Sequence, residues 1–413
     1  MAETLTLEDL KDAVSGHTAA FRCRRRLQPA GGEGDKVFPP TFAGAVYAIE
    51  QRRVPGRDAP VNCVLLDSVQ SQANRMELAL QEAVDAGKIR LPLVVVDFSE
   101  HGPTGDVEAD EKVGRLIDAV GRITSLQVPH RLADAILRDS ELNKVEFRKS
   151  DIGKALNTVS LANATPLFEL CPTALLFGMW DSTGPKGGLG PKFERAVVSE
   201  IVGIGAEVGD LLRGVRHDPL EIRAAVKVQK NADGSWKVAD SNARGAVSPS
   251  EINHSSVPYP KPRDRKTDDN NYAGATIEYA EQTTTLSLIC LRRLRFPLNG
   301  KTGDATDQIA RIVLVALGLC GATLAFEAGV DLRSRSLLWP DGPMVWELLE
   351  RPGTPPRGFA LTGERAVALL DEAIAAARQS GLTWREEPVA LKPSTKLLKL
   401  VRLSQLQATK EET

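Results

Sequence analysis

The sequence predicts an α+β fold, and three features carry that prediction. Residues 18–98 read strand, extended piece, strand, helix, strand. Residues 226–240 read as a hairpin, and 304–328 and 363–380 as long helices. The chain has 413 residues, 42% hydrophobic and 26% charged, enough for two domains or one elaborated domain.

The elements follow in order. TAAFRCRRRLQ (18–28) alternates as a strand, and the loop PAGGEGDKVFPP follows. AVYAIEQR (45–52) is extended or helical, and VNCVLLD (61–67) is a buried strand. Asp67 or Ser68 can cap a helix whose apolar stripe is Val69, Ala73, Met76, Leu80 and Val84. LPLVVVDF (91–98) is a further strand, and 99–111 is loop-like and acidic. EKVGRLIDAV, PHRLADAILRDS and DIGKALNTVSLANA each carry a helical stripe, so about 112–165 reads as helical. CPTALLFGMW (171–180) reads as a strand, DSTGPKGGLGPK (181–192) as a loop, and FERAVVSEIVGIG (193–205) as strand or helix. VKVQKNADGSWKVAD turns at Asp233-Gly234, and the polar, proline-punctuated stretch 241–275 is an exposed loop. ATIEYAEQTTTLSLICLRRLRF (275–296) is the longest strand candidate. SLLW and MVWELLE are short strands, Thr362 caps helix 363–380, and LKPSTKLLKLVRLSQL is a basic amphipathic tail.

Composition and motifs exclude several functions. Formal net charge is −2, so an anion-binding surface must come from local clustering. The five cysteines are widely spaced without a C-x-x-C pair, which argues against a zinc site or disulfide framework and for a reducing compartment. MAETLTLEDLKDAV is an acidic amphipathic helix start rather than a signal peptide. Ile312 to Phe326 is apolar but short of the roughly 20 residues a bilayer requires, so it is expected to be a core helix and no membrane contact is expected. The glycine loop fits neither G-x-x-x-x-G-K-[ST] nor G-x-G-x-x-G. No histidine pair makes H-E-x-x-H, and there is no G-x-S-x-G elbow. His130 and Asp134 lie four apart and read as a helix-surface ion pair. Asp97 and Asp181 end strands, where acids often act, but no partner constellation accompanies them.

Positive charge collects at three places. Arg22, Arg24 and Arg26 share one face of a strand, where mutual repulsion implies solvent or an anionic partner. Arg292, Arg293 and Arg295 form a second group, and Lys392, Lys396, Lys399 and Arg402 a third along the tail. Helix 68–86 carries Gln70 and Asn74 on one flank and Ser71 and Arg75 on the other, and its N-terminus directly follows a strand.

FELCPTALLFGMWDSTGPKGGLGPKFERAVVSEIVG, LLDSVQSQANRMELAL, VPHRLADAILRDS and SDIGKAL together resemble one family. It is the backbone subunit, the seventh-class Cas protein of the RAMP superfamily, of the type I-U (I-G) CRISPR effector complex. The resemblance covers about residues 15 to 385. It implies a modified RNA-recognition-motif (ferredoxin-like) palm with a helical insertion and a β-hairpin thumb. The implied divisions are 15–98 (first part of the palm), 112–170 (helical fingers) and 171–225 (palm strands and glycine loop). Residues 226–275 hold the possible thumb, 276–385 the rest of the palm, and 386–413 the basic tail. The thumb is either the hairpin 226–240 or the loop 241–275.

The resemblance further implies a cytoplasmic, non-catalytic protein that polymerises along CRISPR RNA. It would present the guide to target DNA and contact other effector subunits, without cofactor or metal. Its implied RNA contacts are Arg22, Arg24, Arg26, Asn74, Arg75, His130, Arg131, Ser182, Lys186, Gly187, Gly188, Lys192, Arg195 and Arg293. The stacking aromatics usual in RNA-recognition motifs are not evident. The alternative is a metal-dependent RNA-cleaving subunit, as in type III complexes, with Asp181 as the candidate acid.

Overall fold

The computed structural model describes residues 3–411 except 44–45, 185–189, 211–218, 221, 224, 232–233, 241 and 253–271. The elements needed below run in this order. First come β1 (Ala20–Pro29), β2 (Ile49–Arg52), β3 (Val61–Asp67), α1 (Val69–Asp85) and β4 (Val94–Asp97). Then come β5 (Met179–Trp180), β6 (Lys192–Phe193), β7 (Val197–Ile204) and β8 (Tyr279–Ser287). The last are α2 (Asp304–Phe326), β9 (Val345–Leu349), α3 (Gly363–Gln379), β10 (Val389–Pro393) and α4 (Thr395–Glu411).

Six strands of the main sheet run β9-β1-β8-β7-β3-β2 with each of these adjacent pairs antiparallel, and Arg357–Ala360 and Glu3–Thr4 extend the sheet beyond β9. Within it, β1, β7, β8 and β9 are the first to fourth strands in chain order and lie 4-1-3-2 in space. With α1 between β1 and β7 and α2 between β8 and β9, this is the βαββαβ ferredoxin-like arrangement. The fold is thus an α+β palm of the RNA-recognition-motif type, with β3 and β2 added at one edge.

Strand alternation fixes the two faces of the sheet. On β1, Phe21, Cys23, Arg25 and Leu27 are buried, whereas Arg22, Arg24 and Arg26 point the other way. Ser68 opens α1 by accepting from the Ser71 N–H, and Ala73, Met76 and Leu80 face the core. The mean hydropathy of α2 would suit a membrane span, but 83% of its apolar window is buried, between the sheet and other helices. Close packing there requires glycine: a Cβ on Gly318 would sit 2.7 Å from Leu286 Cδ1 of β8.

A polar seam runs through this interior. Gln72 donates to Asp67 (2.5 Å) and accepts from Ser199 (2.8 Å) and Gln282 (2.9 Å), while Arg25 donates to Gln282 (2.9 Å) and to the Phe326 carbonyl (2.7 Å). These contacts join α1, β7, β8, β1 and the end of α2. Most of these buried polar groups satisfy one another, although Arg25 Nε and Nη1 have no hydrogen-bond partner among the described residues.

Several sequence expectations are corrected. β4 is a strand, but it belongs to a second sheet, ordered Arg122–Thr124, β4, β10, Ser140–Leu142, Val145–Glu146. The stretch 112–165 is mixed rather than helical. Val107–Val113 ends at Gly114 in the left-handed conformation, and short helices at 135–138 and 151–156 alternate with short strands. CPTALLFGMW forms a short helix, Thr173–Phe177, before β5. Residues 193–205 run from the end of β6 into strand β7, not into a helix. The long strand ends at Ser287, whose hydroxyl accepts from the Cys290 N–H and starts helix Leu288–Arg292. Arg292 and Arg293 therefore sit on a helix end, not on a sheet. The basic tail is not a tail, since Lys392 lies on β10, and Lys392 and Lys396 pair with Glu100 and Asp139. The hairpin arms form at Lys227–Lys230 and Trp236–Ala239; Asp233 and most of the loop 241–275 lie outside the described residues.

Cys23, Cys63, Cys171 and Cys320 are buried, and Cys290 is half-exposed. Burial pushes the Cys23 thiol up to about 11 and the Cys320 thiol up to about 12. A thiol reagent added to native protein at pH 8 is expected to modify Cys290 first and the others only after denaturant, as peptide mapping would register. Early labelling at Cys320 would contradict the packing of α2.

Candidate nucleic-acid interface

Two troughs carry the predicted cations. The first, of about 730 Å³, is lined by Gln70, Asn74, His130, Met179, Trp180, Ser182, Lys192 and Arg195, among others. Its walls are the exposed flank of α1, the loop before the short helix 135–138, and the ribbon β5–β6. Sequence-distant Asn74, His130, Ser182, Lys192 and Arg195 meet here. His130 is exposed; its backbone N–H donates to Asp134 Oδ2 at 3.2 Å, and Asp134 also caps helix 135–138. The expected His130–Asp134 ion pair is thus a capping contact. Arg195 Nε donates to the Phe177 carbonyl (3.0 Å), and burial lowers the guanidinium pKa, helped by the charge of Arg131.

Arg131 borders the trough but is committed elsewhere. It is 7% exposed, holds Glu77 through two 2.7 Å contacts and donates to the Gly178 carbonyl at 2.9 Å. Burial pushes the Glu77 carboxyl up, against the pull of Arg131. Arg75 is committed too, donating to Asp67 (3.0 Å) and to the carbonyls of Asp331 (3.1 Å) and Leu332 (3.0 Å). Both expected RNA contacts are therefore tertiary clamps: their donors already point at protein acceptors. Arg293 pairs with Glu194 and lies outside this trough. Lys186, Gly187 and Gly188 lie outside the described residues. Asp181 is buried, and its carboxylate is held by Arg148.

The second trough, of about 740 Å³, lies on the open face of the main sheet. Arg22, Arg24 and Arg26 form its floor, and Arg52, Arg53 and Arg57 line it as well. The strip is less bare than the sequence implies. Arg22 pairs with Glu347 on β9 (2.7 Å), Arg24 with Glu281 on β8 (2.8 Å), and Arg26 lies 3.7 Å over the Tyr279 ring. Arg57 pairs with Glu278, and Arg52 with Glu200 at 2.9 Å. Arg53 is exposed and makes no ion pair among the described residues. Such half-exposed pairs contribute only about 0–1 kcal/mol each, so a phosphate can replace the carboxylate at little cost.

Sequence reasoning missed three arginines and two indoles here. QRRVPGR (51–57) is a visible basic run, overlooked because 45–52 had no settled conformation. Trp180 and Trp339 are 54% and 61% exposed, Trp180 in the first trough and Trp339 beside Gln28 on the open sheet face. Exposed stacking surface therefore exists, contrary to expectation.

Fold and troughs together define an α+β palm protein with two cation-lined surfaces. Residues 21–208, from β1 through β7, match the family model described as CRISPR-associated protein GSU0053. The match spans under half of the chain's 413 residues, and over that stretch the chain is similar to a CRISPR-associated family. Among solved structures, the crystal structure of Thermofilum pendens Csc2 aligns over 99% of this chain and 92% of that chain, at 9% identity and a TM-score of 0.27. The 4-1-3-2 strand order carries the fold assignment, not that likeness. No curated protein matches.

Proposed function

We propose that the chain is a non-catalytic backbone subunit that binds CRISPR RNA in the cytoplasm. Copies of it would line the guide beside other effector subunits and present it to target DNA. The observation that carries this reading is the meeting of Asn74, His130, Ser182, Lys192 and Arg195 in one open trough. Amide, hydroxyl, imidazole and cationic donors with few competing acids suit a polyphosphate backbone read without regard to sequence. The match of residues 21–208 to a CRISPR-associated family model supports it. The Asp181 carboxylate, buried against Arg148, favours a structural role for that acid over RNA cleavage.

The test is expression with and without a CRISPR array, followed by native mass and the 260/280 nm absorbance ratio. A large, nucleic-acid-rich particle that forms only with the array is expected. Equal small particles in both cases would overturn guide-dependent assembly. Incubation of the purified protein with RNA and divalent metal is expected to leave the RNA intact; cutting that disappears in Asp181→Ala would replace this reading with the enzymatic one.

A further inference from the structure

We propose that Trp180 is a stacking platform for a single nucleobase of the bound strand. This inference rests on the reading of the first trough as an RNA site. Of the other four indoles, Trp236 and Trp339 are exposed but do not line this trough. Trp346 and Trp384 are buried in the core, and Trp384 finds the Arg90 carbonyl for its N–H at 2.9 Å. Trp180 is more than half exposed, yet it is held rather than loose. Its strand β5 pairs with β6 in the register Met179↔Phe193 and Trp180↔Lys192. Met179 and Phe193 are buried, which anchors one side of the ribbon in the core. Alternation then presents Trp180 and Lys192 together on the other side.

The surroundings of the ring select its ligand. Lys192 Nζ lies over the ring, 5.7 Å from its centroid, in a cation–π contact that a stacked base would share or displace. Arg195, His130, Asn74 and Ser182 line the same trough. A flat π-face flanked by cations and neutral donors matches a nucleotide: the base lies on the indole while the phosphates meet Lys192 and its neighbours. An apolar protein partner would be poorly served by that rim. The contact is also blind to base identity, because every base has a π-face.

The probe is a single-stranded oligouridine with full-length protein, compared for wild type, Trp180→Ala and Trp180→Phe. Trp180→Ala is expected to weaken binding by about 10- to 100-fold with an unchanged salt slope, because no phosphate contact is lost. Trp180→Phe should recover most of that loss. Wild-type tryptophan fluorescence should fall on binding, and the quench should shrink in Trp180→Phe even though RNA is bound, any remainder coming from exposed Trp236 and Trp339. Full affinity in Trp180→Ala, or an undiminished quench in Trp180→Phe, would overturn the platform alone. Failure of wild type to bind any single-stranded RNA would instead remove the function on which the platform rests.

Discussion

Arg131→Ala is expected to cost the protein about 3–5 kcal/mol of stability, although the family resemblance implies Arg131 as an RNA contact. The guanidinium is buried and makes three contacts, two to Glu77 and one to the Gly178 carbonyl. Its loss leaves a buried carboxylate without its main counter-charge and a carbonyl without a donor. Denaturant titration reads the effect as a lower midpoint with an unchanged slope. The double variant Glu77→Leu/Arg131→Met removes both charges and should recover much of the loss, because an apolar pair of similar size needs no desolvation of ions. An Arg131→Ala protein as stable as wild type, but weaker in RNA binding, would return Arg131 to the interface.

The second large effect concerns the strip on the open sheet face. Arg22→Ala/Arg24→Ala/Arg26→Ala is expected to weaken single-stranded RNA binding strongly at low salt. It should also flatten the log–log salt dependence by about 2, near 0.7 for each of three phosphate contacts. Stability should change little, since the pairs with Glu347 and Glu281 are half-exposed. The converse variant, Glu281→Gln/Glu347→Gln, releases two arginines from their carboxylates and should tighten binding. A salt slope that stays at the wild-type value in the triple variant would confine the RNA to the first trough.

The contrast between these two groups of arginines shows what was legible. Alternation along FRCRRRL separated Arg25 from Arg22, Arg24 and Arg26 directly, because strand period is a local property. Whether Arg131 faces solvent depends on Glu77, which is 54 residues away, and no local pattern records that distance. The strand VNCVLLD and the cap at Ser68 were readable for the same local reason. CPTALLFGMW was not: all of Thr173–Phe177 is buried, so the run lacks the polar face from which a helical period is read. The end of β8 was signalled by Ser287, but a capping serine inside LSLICL is masked by the apolar residues around it. The first trough draws on four separate segments. Its assembly came from the resemblance, not from any spacing between those residues.

The placement of β10 has a consequence for biosynthesis. β4 is hydrophobic throughout Val94–Val96, and β10 is its parallel neighbour in the second sheet. β7 and β8 can pair once residue 287 has emerged from the ribosome, and β4 can pair with Arg122–Thr124 earlier still, but the other edge of β4 must wait for residue 393. During that interval a valine-rich strand edge stays unpaired on a nascent chain, which is where chaperone binding or premature association concentrates. Trimming the protein before residue 389 would make that interval permanent, so the basic segment that looks dispensable by charge is the one that completes the second sheet.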